Sequence, residues 1–378
     1  MRTADPGLLP QGLRDILPPD AGFEAAVVER LASAFAARGY ERVKPPLIEF
    51  EDCFLKSAGG DVARQTFRLL DPESHRMLAL RSDITPQVAR IAATRLKDAP
   101  RPLRLSYAGQ VLQVSGSRLR PERQFGQAGI ELIGAEAPVA DAEVVVLAAE
   151  ALHELGLNDL AIDLNLPTLV AMVAADLGFD DAAVARLRSA LDRKDEAAVG
   201  PIAASHAGVF VAMLRGFGPA EEALERLRAI VLPAAARAEL DRLAEAVALV
   251  RRRASSLALT VDPVEHRGFE YQSGISFTLF SATVRGELGR GGRYLTEAGE
   301  SATGFTLYTD TLLRALPRPQ PPRRLLVAAA LSADIADGLR QQGWITVSAL
   351  AEGADPMAEA RRLGCGHAWI EGAVRPVA

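Results

Sequence analysis

The chain has 378 residues, of which 49% are hydrophobic and 24% are charged, and its formal net charge is −5. This length is enough for two or three domains with a buried core. The acidic balance argues against a protein that mainly clamps a large RNA, because such proteins usually carry a basic surface. No apolar run in the sequence approaches the ~20 residues that a membrane-spanning helix needs.

The N-terminal sequence MRTADPGLLPQGLRDILPP lacks the basic start and the apolar core of a signal peptide. The two cysteines, Cys53 and Cys365, lie far apart and have no metal-ligand spacing, and the five histidines are scattered. These features predict a cytoplasmic protein with reduced thiols, without a metal centre or another cofactor.

The N-terminal part of the chain alternates helices with short strands. Apolar residues recur at three- and four-residue spacing over Gly22–Gly39, which predicts an amphipathic helix with Gly39 at its C-cap. The segment YERVKPPLIEF predicts a strand that Pro45–Pro46 interrupts. Further along we expect paired strands over Thr66–Asp71 and Arg76–Arg81 and a short helix over Ile84–Leu96.

A long hairpin is predicted over Ser106–Gly134. Two alternating runs, Ser106–Val114 and Gln124–Gly134, are joined by a polar, basic loop over Ser115–Arg123. The two strands carry a row of polar side chains: Gln113, Gln127 and Glu131. Such a row either faces solvent or lines a pocket, and the hairpin sequence alone does not decide between these two possibilities.

A strongly apolar helix over Asp141–Leu155 and a strand over Leu160–Asn165 follow. From about residue 166 to 253, Ala, Leu, Arg and Glu dominate at helical spacing, which predicts a helical insertion with a solvated charged face. Strands are then predicted over Leu257–Val261, Gly274–Phe280, Ala282–Gly286 and Thr303–Tyr308, and a helix over Thr309–Leu316. The sequence GRGGR lies in the loop GELGRGGRY and opens no helix, so we reject a dinucleotide-binding fingerprint.

The proline-rich segment Pro317–Pro322 is predicted to be a stiff linker. Beyond it, residues 323–378 show a βαβαβ alternation, which predicts a small open α/β unit. The domain boundaries expected from the sequence are therefore 1–316, 317–322 and 323–378.

Four segments together resemble class II aminoacyl-tRNA synthetases, and specifically the histidyl-tRNA synthetase family. They are PQGLRDILPPDA, ARGYERVKPPLIEF, the hairpin, and RGFEYQSG with GRGGRY. The resemblance covers about residues 8–316 apart from the insertion. It implies an α+β fold with a six-stranded antiparallel sheet flanked by helices, a homodimer, and a C-terminal unit that is a truncated anticodon-binding domain.

The resemblance also implies a pocket for an amino acid. The family's ammonium-binding acid corresponds to Asp83, and the positions that contact the ammonium and the imidazole correspond to Gln127 and Glu131. Arg267 stands at the arginine that faces the carboxylate. The full set carried over is Asp83, Thr85, Gln127, Glu131, Arg267 and Tyr271. The sequence departs from the family at Gln272, which replaces a tyrosine that packs near the imidazole.

The ATP half of the family's site is degenerate in this sequence. Gln113 stands where an arginine holds the α-phosphate, and Ser115 replaces a glutamate. Tyr308 replaces a glycine in the floor of the adenine site, and Thr311 replaces the arginine that clamps the nucleotide. A neutral amide cannot replace a guanidinium beside a reacting phosphate, so the resemblance implies that ATP-dependent activation is lost.

A synthetase-like chain with an amino-acid pocket, broken ATP motifs and a reduced anticodon-binding domain resembles the regulatory subunits of ATP phosphoribosyltransferase, a branch of the histidyl-tRNA synthetase family. That resemblance implies a non-catalytic role, a short-form catalytic subunit as partner, and histidine as feedback effector. Three alternatives remain at this point: an active aminoacyl-tRNA synthetase, an RNA-binding paralogue, and a scaffold with an empty pocket. Gln113 and Thr311 argue against the first, and the net charge makes tRNA an unfavoured partner.

Overall fold

A computed structural model describes residues 7–56, 60–116, 120–266, 272–350 and 355–377. Two of the residues carried over from the family, Arg267 and Tyr271, lie outside these ranges. The chain forms two compact units, Met1–Pro317 and Arg318–Ala378.

The first unit combines twelve strands with twelve α-helices among its described residues. The strands are β1 Glu41–Arg42, β2 Ile48–Phe50, β3 Arg68–Leu70, β4 Met77–Leu80, β5 Leu103–Leu112, β6 Gln124–Ile133, β7 Leu160–Asn165, β8 Gly218–Pro219, β9 Ala258–Asp262, β10 Gln272–Ser281, β11 Gly289–Leu295 and β12 Ser301–Tyr308. The helices are α1 Asp20–Ala36, α2 Glu51–Lys56, α3 Gly60–Arg64, α4 Thr85–Thr94, α5 Pro138–Leu155, α6 Leu169–Asp176, α7 Asp181–Asp192, α8 Glu196–Ala203, α9 Ala207–Leu214, α10 Ala220–Arg228, α11 Ala234–Arg253 and α12 Thr309–Ala315.

A nine-stranded sheet organises this unit, in the order β1-β5-β6-β12-β11-β10-β7-β9-β8. Six consecutive strands of this sheet, β5, β6, β12, β11, β10 and β7, pair antiparallel with one another, so the expected six-stranded antiparallel core is confirmed. Strand β1 pairs parallel to β5 at one edge, and β9 pairs parallel to β7 near the other. A separate small sheet has the order β2-β4-β3, and the proline pair divides YERVKPPLIEF between the two sheets.

One face of the large sheet is apolar and carries the main core. Ile130 on β6 pairs with Phe305 on β12, and Phe277 lies on β10, across β11 from Phe305; each is at most 1% exposed. Helix α5 packs against it and is buried over most of its surface, as expected for a helix that is apolar on nearly all sides. The opposite face of the sheet is polar, with α4 packed near its β5–β6 end.

A buried ion pair ties α5 to this sheet. The Arg293 guanidinium on β11 donates to both Asp141 carboxylate oxygens, with Nη2 to Oδ2 at 2.9 Å. The same guanidinium donates to the Ala135 carbonyl at 2.8 Å, so its charge is spread over several acceptors. The second arginine of GRGGRY therefore holds α5 against the sheet.

The insertion is helical as predicted and consists of α6 to α11, with only the two-residue strand β8 added. Its apolar side chains, such as Leu187 and Leu240, join the main core. The stretch Glu196–Leu214 is apolar enough on average to cross a membrane, and it is the one such helix in the described part of the chain. The expectation that no apolar run reaches this length is therefore wrong here. A 3₁₀ turn at Ala204–His206 divides the stretch into α8 and α9.

Two predictions between β10 and β12 are wrong. Residues Ala282–Gly286 form turns and not a strand, and Gly289–Leu295, expected to be a loop, is the central strand β11. Its glycines weaken the strand pattern of the sequence, but they fit the sheet. A Cβ on Gly291 would lie 2.4 Å from Phe277 Cζ. Tertiary packing, which the local pattern does not report, therefore determines this strand.

The second unit has the predicted βαβαβ order and one further strand. Its elements are β13 Arg324–Val327, α13 Ala333–Gln341, β14 Ile345–Ser348, α14 Pro356–Arg362, β15 His367–Ile370 and β16 Ala373–Pro376. The strand order is β14-β13-β15-β16, with β16 antiparallel to β15.

Candidate functional site

The polar face of the large sheet is built from two rows of directly paired residues. Paired residues on neighbouring strands point to the same face, and so do residues two apart on one strand. The first row is Glu131, Gly304, Gly292, Ser276, Asn165 and Asp262. The second is Tyr107, Gly129, Thr306, Arg290, Thr278, Asp163 and Thr260.

Two glycines in the first row make room for polar side chains. Glu131 Oε2 lies 2.2 Å from the position that a Cβ on Gly304 would take. Gln272 Oε1 lies 2.3 Å from the corresponding position at Gly292. The carboxylate and the amide therefore occupy the hollows that the missing side chains leave.

Glu131 is the most deeply buried acid of this face, at 1% exposure. Its Oε1 accepts a hydrogen bond from Thr85 Oγ1 at 3.0 Å, and its Oε2 accepts one from Tyr294 OH at 2.9 Å. The Tyr107 hydroxyl bridges Thr85 Oγ1 at 3.2 Å and Thr306 Oγ1 at 2.6 Å. Burial raises the pKa of Glu131 to about 8, although both hydroxyl donors oppose this shift. The carboxyl is therefore mostly protonated at neutral pH.

Asp83 precedes α4 and lies beside Gln127 of β6. Gln127 Oε1 accepts from the Ile84 backbone N–H at 3.0 Å, and the Gln127 side chain also hydrogen-bonds Asp83. Burial raises the pKa of Asp83, while hydrogen bonds from Thr85, Gln127 and Ile84 and the charge of Arg290 oppose the rise. Asp83 keeps part of its surface accessible, so a ligand can reach it.

The structure thus brings together four of the residues carried over from the family: Asp83, Thr85, Gln127 and Glu131. Two carboxyl groups, an amide and a hydroxyl form a mostly buried polar cluster, here called the cleft, and such groups can accept hydrogen bonds from an ammonium or an N–H group. Within the described residues no group of three His, Cys, Asp or Glu side chains is arranged to hold a metal ion.

The degenerate ATP positions on the first hairpin strand are bound to neutral protein groups. Gln113 Nε2 donates to the Ser82 carbonyl at 3.4 Å, and Gln113 forms a β-bridge with Thr66. Ser115 is exposed, and its backbone N–H donates to Gln65 Oε1 at 3.2 Å. Neither side chain offers a positive charge to a phosphate.

The other two degenerate positions, Tyr308 and Thr311, lie near Arg120, an arginine of the hairpin loop that packs on the Tyr308 ring. The Arg120 guanidinium lies 3.7 Å from the centre of the Tyr308 ring and 4.7 Å from that of Phe125. Its Nε donates to Asp310 Oδ2 at 3.3 Å. Thr311 is buried at 1% exposure and its hydroxyl accepts from Arg314. The chain's own side chains therefore fill the space above Tyr308.

Sequence reasoning missed several polar residues of this face: Tyr107, Tyr294, Thr306, Asn165 and Ser276. Tyr294 belongs to GRGGRY, whose tyrosine points to the cleft, and that motif was the available signal. The others become recognisable only from the register between strands that are distant in sequence.

Comparisons with known proteins show the family of this chain. The model of the histidyl-tRNA synthetase family matches residues 12–312. The chain is 57% identical over 365 residues to the ATP phosphoribosyltransferase regulatory subunit of Paramagnetospirillum magneticum, covering 97% of this chain and 96% of that protein. It is 52% identical over 380 residues to the subunit of the same name from Rhodospirillum rubrum, covering 100% and 98%.

Solved structures share the fold. An ATP phosphoribosyltransferase regulatory subunit/histidyl-tRNA synthetase from Bacillus halodurans superposes with a TM-score of 0.84 at 24% identity, covering 96% of this chain and 97% of that one. A histidyl-tRNA synthetase from Nostoc sp. gives a TM-score of 0.77 at 17% identity, covering 97% and 91%. The chain belongs to the ATP phosphoribosyltransferase regulatory subunits, within the histidyl-tRNA synthetase family.

Proposed function

We propose that this chain is the regulatory subunit of ATP phosphoribosyltransferase in histidine biosynthesis, and that it has no catalysis of its own. It binds a short-form catalytic subunit in the cytoplasm and conveys feedback inhibition by histidine. The observation that carries the proposal is the contrast within one cleft. The residues carried over for the amino-acid half lie together around Asp83 and Glu131, while those carried over for the ATP half are neutral and contact other groups of the chain.

The chemistry of the ATP half supports a non-catalytic role. Amino-acid activation needs fixed cations around a phosphate whose charge rearranges in the transition state, and loss of one such donor costs about 10²–10³ in rate. Neither Gln113 nor Thr311 supplies such a positive charge. Arg120 is already held by Asp310 and stacked on Tyr308, so it does not replace the missing arginines.

The amino-acid half supports histidine as the effector. An α-amino group carries a positive charge that suits Asp83 and Gln127, and an imidazole supplies a ring nitrogen for Glu131. For regulation, histidine must bind one state of the complex more tightly than another, since an effector with equal affinity for both shifts nothing.

The test is a reconstitution with the catalytic subunit. We expect histidine to inhibit the complex, and Asp83→Ala to raise the half-inhibitory concentration by at least about tenfold, because a charge-assisted hydrogen bond contributes about 1.5–3 kcal/mol. Glu154→Ala, on an exposed acid of α5, is the control and should leave inhibition unchanged. Pyrophosphate exchange with ATP and histidine by the pure chain would contradict the proposal, as would activity that does not respond to histidine.

We further propose that the chain forms a homodimer through the small sheet and its surroundings. Leu47 is 60% exposed and Leu70 is 59% exposed, and both lie at this sheet. A cavity of about 560 Å³ beside it is lined mainly by apolar groups, including Pro45 and Pro46. Exposed large apolar residues beside an apolar cavity are typical of an interface.

Sedimentation equilibrium tests this proposal. The native chain should sediment as twice its mass of 40.3 kDa, and the double variant Leu47→Asp, Leu70→Asp should sediment as a monomer. Val231→Asp changes an equally apolar residue on the insertion that is 92% exposed, and it should leave the dimer intact. A native monomer at micromolar concentration would refute the dimer.

A further inference from the structure

An acidic cluster lies where the helical insertion meets the β7–β9 end of the large sheet. Four carboxyl groups of the described residues belong to it: Asp163 on β7, Asp262 at the end of β9, Glu265 shortly after it, and Asp192 at the end of α7. Burial is the main cause that raises the pKa of Asp163 and of Glu265, and the charges of neighbouring acids add to each rise. The charge of Lys194 opposes both rises. The insertion therefore supplies a cation to an acidic part of the core.

The short turn between α7 and α8 carries this lysine. The Lys194 ammonium forms an ion pair with Asp262 Oδ2, and the Asp262 side chain is 11% exposed. The other oxygen of the same carboxylate, Oδ1, accepts from the Val264 backbone N–H at 3.3 Å. Lys194 has a φ of 55°, in the left-handed region that few residues other than glycine adopt. Such a conformation persists where the surrounding structure fixes it, and it is a reason to look for a function.

A second contact between the turn and the core has the opposite polarity. Asp192 accepts from the His266 backbone N–H at 3.4 Å, and the His266 ring Nδ1 lies 3.0 Å from the same carboxylate. The Asp192 side chain is 5% exposed. The two contacts hold the segment Asp262–His266 at both of its ends. Because both acids are largely buried, removing either partner leaves a buried charge without full compensation.

The segment that these contacts hold leads to the cleft. The Asp262 carbonyl accepts from Asn165 Nδ2 at 3.4 Å, and Asn165 belongs to the row of the polar face that begins at Glu131. In the sequence, His266 is followed directly by Arg267, the residue carried over from the family as the partner of the ligand's carboxylate. A shift of the segment would therefore act on the cleft without any direct contact between the insertion and the ligand.

We propose that Lys194 and Asp192 are positioning residues for the cleft, which fix the segment Asp262–His266 and thereby couple the helical insertion to ligand binding. This inference rests on the proposed function, in which histidine is the ligand, and it gives the insertion a role beyond packing. Coupling between two sites is reciprocal. A ligand that needs the segment in its fixed position therefore stabilises, in turn, the α7–α8 turn that holds it.

Calorimetry with histidine tests the ion pair. We expect Lys194→Met to weaken histidine binding by about tenfold, within the 5–150-fold range that is usual for coupled sites, and Lys194→Arg, which keeps the charge, to bind nearly as well as the native chain. Asp262→Asn should weaken binding by the same factor as Lys194→Met. The double variant should bind no more weakly than either single variant, because the two residues act as one pair.

The control for these variants is Arg215→Met. It breaks an exposed ion pair with Glu196 inside the insertion and should leave the affinity for histidine unchanged. Amide hydrogen exchange gives a readout that a merely structural role would not move. Saturating histidine should slow exchange in residues 193–195 of the native chain and of Arg215→Met, and it should have no such effect on Lys194→Met.

The outcomes separate this inference from the proposed function. If the native chain does not bind histidine, the proposed function fails and the positioning role fails with it. If the native chain binds histidine but Lys194→Met binds it equally well, or the effects of Lys194→Met and Asp262→Asn add in the double variant, the positioning role alone is overturned. Exchange in the turn that ignores histidine would overturn it as well. That last measurement uses the native chain, so it remains decisive if a variant misfolds.

Discussion

Replacing Gly304 with alanine is expected to abolish histidine binding and to lower the free energy of unfolding by about 1–3 kcal/mol, the usual cost of overpacking a buried site. A Cβ at this position would lie 2.2 Å from Glu131 Oε2 and 2.3 Å from the Ile130 carbonyl oxygen. The second of these atoms belongs to the backbone of the adjacent central strand, so it cannot move away alone. The Glu131 carboxylate would leave its hollow and lose its contacts with Thr85 and Tyr294.

The control for this substitution is Gly208→Ala in α9. A Cβ there would meet nothing within 4 Å, and alanine is favoured over glycine in a helix by about 1 kcal/mol. We therefore expect Gly208→Ala to be neutral or slightly stabilising and to bind histidine normally. Urea unfolding followed by far-ultraviolet circular dichroism measures stability, and calorimetry measures binding. A Gly304→Ala chain with native stability and native affinity would show that the Glu131 hollow is not needed.

The elements of the fold that were predicted correctly are those that a local sequence pattern indicates. The hairpin was predicted from alternation around a polar loop, and it exists as β5 and β6. The helical insertion was predicted from a change in composition, and the strand over Leu160–Asn165 has the predicted limits. Strand β11 was missed because glycines at Gly289, Gly291 and Gly292 hide the strand pattern, although the sheet needs them.

The site was predictable only in part, for a different physical reason. Asp83, Thr85, Gln127 and Glu131 could be named as candidates because motifs fix their positions along the chain, and the structure places these four side chains together. Asn165 and Ser276 have no motif, and they become neighbours of Gln272 only through the register of β7, β10 and β11. Whether a buried amide oxygen has a partner is a property of three-dimensional packing, and no sequence pattern reports it.

Replacing Glu131 with glutamine is expected to change how stability depends on pH. The pKa of Glu131 is raised to about 8 in the folded protein, while a glutamate in an unfolded chain titrates near 4.3. Between these values the folded state holds a proton that the unfolded state has released, so the free energy of unfolding falls as pH rises through this window. By pH 8 the loss from this one group is on the order of 4–5 kcal/mol. Because glutamine does not titrate, the free energy of unfolding of Glu131→Gln should not show this fall as pH rises.

The amide is also a fair substitute for the protonated acid, because the hydroxyls of Thr85 and Tyr294 can each donate or accept. The two chains should therefore have similar stability at pH 5, and Glu131→Gln should be the more stable by several kcal/mol at pH 8. Glu300→Gln is the matched control. Hydrogen bonds from Arg101 hold the pKa of Glu300 below its usual range, so its stability difference from the native chain should stay constant between pH 6 and 9. Urea unfolding should be followed by circular dichroism, since both tryptophans, Trp344 and Trp369, lie in the second unit. Parallel pH curves for the native chain and Glu131→Gln would mean that Glu131 is ionised at neutral pH, and the cleft would then bind its ligand as a fixed anion.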